Sequence, residues 1–504
     1  MVKQPLGEGP VRISSAVEGR TDRASCAGVW HASHVERSLE RRRSGLHWSS
    51  SATMKMGRTS TKRLAGAVLA LTTLGAFDAN ANGFAVRAQS TVGLGMSFAG
   101  EGTPGMSLSA MFWNPSAAAQ ATEFSAEMHT TFIGYESRIT AQQGTTQSLL
   151  DIGPADNVGK PATITAMYAA HTFAPNWFVG VSIDTPFGLG THADSWAGQQ
   201  LAVRAGALSL EAAPVVGWKN GMISIAAGPR VLWFQGTFSR AIFGTTALPP
   251  LPVKLVADDV GIGFVAGATL SLPRPGTGPN PGTTLTPRPL MEIALGYRSQ
   301  VDLDLRGKNK FPSSPFLAQG QLAAFNGTTE GVSGKLTLPD QATLGVRWNV
   351  TDRFAVLGTA EWTQWSVLQT VPFTFTDGPA PGALAGAVNF NYRNSRYFAA
   401  GTEYEWSDNV TLRAGIGYDV SPIVKKVRST AIPEADSSWS SAGLTYKATD
   451  HITLDLAYLY VSYNDAPIAV VPGHADFASL QGASFIATAD SHAHFVSIGF
   501  RYQM

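Results

Sequence analysis

The sequence predicts an all-β protein, a transmembrane antiparallel β-barrel of about 14 strands. Three observations predict it. Apolar and polar residues alternate along the chain from about Ala121 to the C-terminus, no run of 18 or more apolar residues could cross a bilayer as a helix, and a secretory signal precedes the alternating region. Charged residues make up 14% of the 504 residues and aromatics 10%, with 52 glycines. Mild hydrophobicity without long apolar runs fits strands that are apolar on one face and polar or small on the other.

Four segments show the alternation most clearly. Met291, Ile293, Leu295 and Tyr297 interleave with Glu292, Ala294, Gly296 and Arg298. Leu344, Val346, Trp348 and Val350 interleave with Thr343, Gly345, Arg347 and Asn349. Leu412, Ala414, Ile416 and Tyr418 oppose Thr411, Arg413, Gly415 and Asp419, and Ile452, Leu454, Leu456, Tyr458 and Tyr460 oppose Thr453, Asp455 and Ala457. Each run approaches the 9 to 11 residues of a tilted membrane strand, with aromatics near the run ends where an interfacial girdle is expected. Turn residues separate the runs at Ala174-Pro175-Asn176, Lys219-Asn220-Gly221, Thr351-Asp352, Ser407-Asp408-Asn409 and Thr449-Asp450. The longer Pro/Gly-rich connections 273–289 and 311–331 are expected outside the cell, because periplasmic turns are short. Val496, Ile498, Phe500, Tyr502 and Met504 form the closing strand.

A soluble β-sandwich or propeller also alternates, but a sandwich core would have to bury Glu292, Arg298, Arg347, Arg413, Asp419 and Asp455. A wet lumen lets such charges hydrate and pair.

Met54 or Met56 opens the export signal. Lys55, Arg58, Lys62 and Arg63 form its basic part, residues 64–77 its apolar part, and Ala79-Asn80-Ala81 a small-residue cleavage site, so cleavage is expected before Asn82. Residues 1–53, with Arg41, Arg42 and Arg43, lack apolar periodicity and read as an upstream extension from a start codon assigned too early, a genuine basic N-terminal extension being the alternative. The organisation is therefore extension 1–53, signal 54–81, a non-alternating stretch 82–120 rich in Gly, Ser and Ala, and barrel 121–504. Cys26, the one cysteine, falls in the extension, which leaves no disulfide framework or thiolate metal site. Residues 1–81 hold 12 basic against 6 acidic side chains, leaving 25 against 30 after them. That slightly acidic balance gives no nucleic-acid footprint.

The non-alternating stretch carries Asn82-Gly83-Phe84-Ala85-Val86, Gly93-Leu94-Gly95, Phe98-Ala99-Gly100-Glu101-Gly102 and Phe112-Trp113-Asn114-Pro115-Ser116. These segments resemble the N-terminal plug of FadL-type outer-membrane transporters, whose Asn-Pro-Ala motif stands here as Asn114-Pro115-Ser116. Further echoes run through Asp184-Thr185-Pro186-Phe187-Gly188-Leu189, Ala213-Pro214-Val215-Val216-Gly217-Trp218-Lys219, Leu338-Pro339-Asp340 and Glu361-Trp362-Thr363-Gln364-Trp365-Ser366. The acidic pair usual before the Asn-Pro turn is replaced by residues 105–110, and the Arg often found after an Ile-Pro-Asp segment is missing at Ile432-Pro433-Glu434-Ala435-Asp436.

The resemblance implies a plug around Gly93, Gly95, Asn114, Pro115 and Ser116, and a kinked third strand at Pro186, Phe187, Gly188 and Leu189 that opens the wall sideways. It implies outer-membrane uptake of a hydrophobic small molecule, a long-chain fatty acid or alternatively an aromatic hydrocarbon, by lumenal capture, plug displacement and lateral release. Pro186 lacks a ladder donor and Gly188 tolerates unusual backbone angles, which suits an interruption. Arg298, Arg347 and Arg413 are candidate cations for a carboxylate, or partners of Glu292, Asp419 and Asp455. The expected partners are the cargo, outer-membrane lipid and the barrel-assembly machinery, around a monomer without a cofactor.

Other motifs carry less. Gly261-Ile262-Gly263-Phe264-Val265-Ala266 lacks the strand-turn-helix setting of a dinucleotide site, and Thr329 stands where a phosphate loop needs Gly. Asp490, His492 and His494 share one strand face, where metal binding competes with a place just above the membrane. An open porin lumen disagrees with a plug, and a barrel lipase needs a positioned Ser and His that the sequence does not display.

Overall fold

The computed structural model describes residues 83–121, 123–242, 250–275 and 288–504. The expected extension and signal peptide lie outside the described residues.

Fourteen antiparallel strands close into a barrel. In chain order they are β1 (Phe124–Ala141), β2 (Ala162–Ala174), β3 (Trp177–Asp184, resuming at Gly188–His192), β4 (Arg204–Lys219), β5 (Ile223–Ala241), β6 (Pro252–Leu272) and β7 (Met291–Arg298 and Val301–Lys310). Then follow β8 (Thr329–Leu338 and Gln341–Asn349), β9 (Phe354–Thr363 and Thr370–Phe375), β10 (Leu384–Asn389 and Ser395–Glu405), β11 (Val410–Val420), β12 (Ser437–Lys447), β13 (Ile452–Tyr463 and Ala466–Val470) and β14 (Phe485–Gln503). Each strand pairs with its chain neighbour, and β14 closes on β1 from Ser125↔Gln503 to Ala141↔Ala487. Closure satisfies the backbone groups that an open edge would leave bare in lipid.

The alternation maps onto the two faces of this wall. Ile262 is 71% exposed, Ile416 65% and Leu295 58%, whereas their neighbours Glu292, Arg298 and Arg413 point inward and are buried. Water would penalise such an apolar exterior, and acyl chains match it.

The predicted turns cluster at one end, where short polar side chains cap backbone donors. Asn220 Oδ1 accepts from the amides of Met222 and Ile223 at 2.9 and 2.7 Å, and Thr449 Oγ1 from those of His451 and Ile452 at 3.2 and 3.0 Å. This short-turn end is the periplasmic one in such barrels.

One loop expectation is corrected. Leu270 pairs with Ile223, and Met291 with Leu272, so the connection 273–289 leaves β6 at the short-turn end. Strand parity overrides loop length there. The connection 311–328 lies at the opposite end and contains a short 3-10 helix, Gly320–Phe325, while Thr329–Gly331 already belong to β8.

Residues 83–121 lie inside the barrel and are almost wholly buried. They form one helical turn, Thr91–Leu94, and two 3-10 helices, Leu108–Phe112 and Pro115–Gln120. Here a second expectation changes. The inward charges do not sit in open water; this segment fills the lumen at their level, and Arg298, Arg347, Arg413 and Asp455 are held in buried ion pairs.

Candidate functional site: the filled lumen and the break in the third strand

The inner segment approaches the wall at backbone distance because the wall offers glycines. A Cβ on Gly296 would stand 1.7 Å from the Trp113 carbonyl oxygen, and one on Gly415 2.0 Å from that of Met96. Gly95 abuts Gly443 in the same way, and a Cβ on Gly93 would collide with the Glu101 carboxylate. Burial holds the Glu101 carboxyl well above the usual carboxylate range, with Arg87 opposing the shift.

Asn114 organises the last turn. Its Oδ1 accepts from the Ser116 amide at 3.1 Å and the Ser116 hydroxyl at 2.8 Å, while its Nδ2 donates to the Gly102 carbonyl at 2.8 Å and to Thr269 Oγ1 at 2.9 Å. Asn114 is thus the N-cap of Pro115–Gln120, with Pro115 at the first helical position where no N–H is needed.

The third strand breaks beside this segment. β3 pairs with β2 as far as Met167↔Ile183; beyond that rung residues 162–166 of β2 pair with β1, and Gly188–His192 with β4. The ladder between β2 and β3 therefore stops at Ile183, residues 185–187 turn inward, and the wall closes again where the Lys160 amide donates to the Gly190 carbonyl at 3.2 Å and the His192 amide to the Val158 carbonyl at 2.8 Å. Their backbone groups are satisfied from inside the barrel. The Val86 amide donates to the Pro186 carbonyl at 2.8 Å, the Gly188 amide to the Phe84 carbonyl at 2.8 Å, and Gln89 Nε2 to the Thr185 carbonyl at 2.6 Å. The Phe187 amide donates to Ser209 Oγ at 2.9 Å, and Leu189 pairs with Ala207 of β4. Because pairing resumes at Gly188, the break lies within the strand and not at its rim.

Two adjacent cavities lie above this point. The outer one, about 360 Å³, carries Phe311, Phe325 and Phe375, whose rings lie 4.9 and 5.2 Å apart in sequence, and Arg240. The inner one, about 80 Å³, shares Phe238, Leu255, Phe373 and Val388 with it and is lined by no charged side chain among the described residues. Phe84 closes its base, its ring 4.9 Å from Trp365 and 5.8 Å from Phe187. Behind Phe84 and Phe187 lies a pocket of about 30 Å³ bordered by Val86, Arg87, Pro186, Arg230 and Arg298.

Buried ion pairs surround the inner segment. Arg87 holds Glu361 through both nitrogens, at 2.8 and 2.5 Å, and stacks 3.8 Å above the Tyr397 ring. Arg298 pairs with Glu211, donates to the Phe112 carbonyl at 2.7 Å, lies 4.0 Å over the Phe112 ring and stands 3.9 Å from Asp184. Arg347 pairs with Glu403 at 2.5 Å and lies 4.0 Å from Glu292; Arg413 takes the other Glu403 oxygen at 2.8 Å. Asp455 pairs with Arg501 at 2.8 Å, and Arg501 also donates to the Met106 carbonyl at 3.2 Å. Removing one partner from such a buried pair typically costs about 3–5 kcal/mol.

The predicted arginines thus face inward but line neither apolar cavity, and Arg298 alone of the three borders the small pocket at the break. Sequence reasoning passed over Arg240, whose Nη1 donates to Ser479 Oγ at 2.5 Å. A cation at an outer strand end beside an aromatic cluster was its available signal. His494 accepts or donates at 2.8 Å with Tyr458, and His492 lies 3.6 Å from Glu136, on the outer face of β14. No group of three metal-ligating side chains forms among the described residues. Residues 261–266 and 331–335 are barrel strand.

A closed barrel with a lipid-matched exterior, its lumen filled by its own N-terminal segment, is an outer-membrane β-barrel. Residues 72–504 match the family described as outer membrane protein transport protein (OMPP1/FadL/TodX), and the chain belongs to that family. It is 32% identical over 213 residues to outer membrane protein P1 of Haemophilus influenzae, covering 42% of this chain and 43% of that one. It is 30% identical over 182 residues to the long-chain fatty acid transport protein of Escherichia coli K12, covering 34% of this chain and 40% of that one. The chain thus spans less than half the length of these relatives. Among solved structures, a Pseudomonas aeruginosa FadL homologue superposes with a TM-score of 0.69 at 20% identity, over 84% of this chain and 100% of that one. The Ralstonia pickettii toluene transporter TbuX gives 0.57 at 15% identity, over 83% and 99%. These two likenesses show the fold.

Proposed function

We propose that the protein takes up long-chain fatty acids across the outer membrane. An acid enters the outer cavity with its carboxylate toward Arg240 and its chain along the rings of Phe311, Phe325 and Phe375. It moves into the uncharged inner cavity, where transfer of each methylene from water contributes about 0.8 kcal/mol. The inner segment acts as the plug: shifting Phe84 opens the way to the break at Pro186, Phe187 and Gly188, and the acid leaves sideways between β2 and β3. The single observation that carries this reading is the ladder ending at Met167↔Ile183, with the wall's freed hydrogen bonds taken by the plug itself. Arg298 holds the plug through the Phe112 carbonyl, Arg347 and Arg413 pair with Glu403 of the wall, and none of the three meets the cargo.

A second reading, uptake of neutral aromatic hydrocarbons, is favoured by the absence of charge around the inner cavity among the described residues. Arg240→Gln separates the two. On the first reading oleate affinity of the purified protein falls about tenfold, within the ~1.5–3 kcal/mol of a charged hydrogen bond, while toluene binding stays unchanged. Oleate affinity equal to wild type removes Arg240 from the mechanism and favours the hydrocarbon.

A further inference from the structure

Pro339 on β8 and Pro372 on β9 flank a stretch of wall without rungs. The two strands pair up to Gln341↔Thr363 and again from Gly334↔Phe373 to Val332↔Phe375. Between these rungs residues 335–340 of β8 face the longer run 364–372 of β9. The Gln364 amide still reaches the Asp340 carbonyl at 3.0 Å, but no backbone hydrogen bond joins 335–339 to 365–372 among the described residues. Proline offers no donor to such a ladder. The surplus in β9 leaves the wall as the 3-10 turn Trp365–Val367, which brings the Trp365 ring to 4.9 Å from that of Phe84. The turn is held from the β10 side: the Ser366 amide donates to Asn394 Oδ1 at 3.0 Å, and the amides of Phe390 and Tyr392 donate to the Gln369 and Leu368 carbonyls at 3.3 and 3.2 Å.

Apolar side chains stand where the rungs would be. Leu336, Leu338, Leu368 and Val371 are buried and belong to one hydrophobic cluster. On the inside, Leu336, Val371 and Phe373 line the inner cavity. On the outside, at the upper end of the same stretch, a groove of about 800 Å³ runs across β7, β8 and β9 past Arg306, Ser333, Lys335, Pro372 and Thr374. Leu305 borders both spaces, so one layer of wall separates them. The Tyr297 hydroxyl, donating to Asp340 Oδ2 at 3.0 Å, marks the level. Below it the outward residues of β8 include Leu344 and Trp348; above it Lys335 and, on β7, Arg306 are exposed. The stretch therefore begins where lipid tails give way to headgroups.

We infer that this stretch is a side entrance, through which a single-chain carboxylate amphiphile dissolved in the outer leaflet threads its tail into the inner cavity while Arg306 and Lys335 hold its head in the groove. The inference rests on the uptake proposed above. Charge and continuity select this occupant: two exposed cations lie at the mouth, and an uncharged cavity lies behind a seal of leucine and valine. Opening the seal displaces side chains and breaks no rung. The entrance meets the inner cavity on the near side of Phe84, whereas the break in β3 lies behind Phe84, so the two openings stand in series across the plug's leading end. A tail arriving beside Leu368 presses on the turn that carries Trp365, and through that ring on Phe84.

The test uses the full-length protein in outer-membrane vesicles loaded with a diazirine analogue of oleate. Single cysteines are placed in a Cys26→Ser background at two exposed sites, Ala383 on the outer cavity and Gln369 beside the rungless stretch, and each is capped with a long poly(ethylene glycol) maleimide. Folding is checked by heat-modifiable gel migration, and peptide mass spectrometry reads label on Leu336, Val371 and Phe373. Capping Ala383→Cys alone is expected to leave about half the label or more, because membrane-dissolved acid bypasses the outer cavity. Capping Gln369→Cys as well is expected to lower what remains roughly tenfold, since the rest of the wall is hydrogen-bonded. Replacing both Arg306 and Lys335 by Gln in the Ala383-capped protein should lower it about threefold, the scale of exposed ion pairs; unchanged label removes these cations from the site. Label abolished by the Ala383 cap alone, or untouched by the added Gln369 cap, overturns the entrance and leaves the uptake reading standing. An unmodified protein without inner-cavity label overturns both.

Discussion

Replacing Pro186, Phe187 and Gly188 together by Val, Thr and Val is expected to abolish uptake while the barrel still folds and inserts. The break exists because Pro186 offers no ladder donor and because the amides of Gly188, Thr185 and Phe187 bond inward, to the Phe84 carbonyl, Gln89 Oε1 and Ser209 Oγ. Val and Thr restore a donor and favour the extended backbone. The freed edge of β2, residues 162–166, then gains a partner, each new ladder bond contributing about 1 kcal/mol. A continuous hydrogen-bonded wall does not pass an acyl chain, so oleate accumulation by intact cells should fall by roughly tenfold or more. Binding of oleate to the purified variant should persist, since both cavities lie above the break. Undiminished accumulation would refute the lateral route.

Gly296→Leu is expected to have the opposite effect on a different cargo, opening the lumen to water-soluble molecules. Its Cβ would meet the Trp113 carbonyl at 1.7 Å and the Asn114 Cα at 3.1 Å, and both are backbone with no flexible end to swing away. The wall pairs Gly296↔Thr343 and Gly267↔Gly296 need no side chain and should survive. The plug must give instead, losing the Arg298 bond to the Phe112 carbonyl and the Asn114 contact with Thr269. Entry of large hydrophilic antibiotics should rise by roughly tenfold or more, as in barrels whose lumen is an aqueous channel. Folded Gly296→Leu protein with unchanged permeability would mean that these contacts do not seal the lumen.

The barrel was legible in the sequence because a strand has a side-chain period of two and lipid demands an apolar partner for every outward position. Leu344, Trp348, Ile416 and Leu456 announce that face, and Asn220, Thr351 and Thr449 announce the turns by their capping chemistry. The filling of the lumen was legible only through resemblance, since no local pattern says that Gly296 receives Trp113. The ion pairs were half visible. Arg347 and Glu403 lie 56 residues apart and Arg298 and Glu211 87 apart, so inward charge could be read but not partnership, which depends on register and on the path of the plug. The connection 273–289 misled because length was read without counting strands. Arg240 was hidden for a related reason: it acquires meaning from a residue on another loop, Ser479.

The central claim is a sideways exit between β2 and β3, and photo-crosslinking tests it most directly. A long-chain fatty acid bearing a diazirine near its methyl end is bound to the purified protein in lipid bilayers, irradiated, and the labelled peptides are identified by mass spectrometry. Lateral release predicts label at residues 162–166 of β2 and 185–190 of β3. Label confined to the inward residues near the short-turn end, around Glu292, Arg347 and Arg413, with none at the break, would show an axial path past the plug and contradict the account.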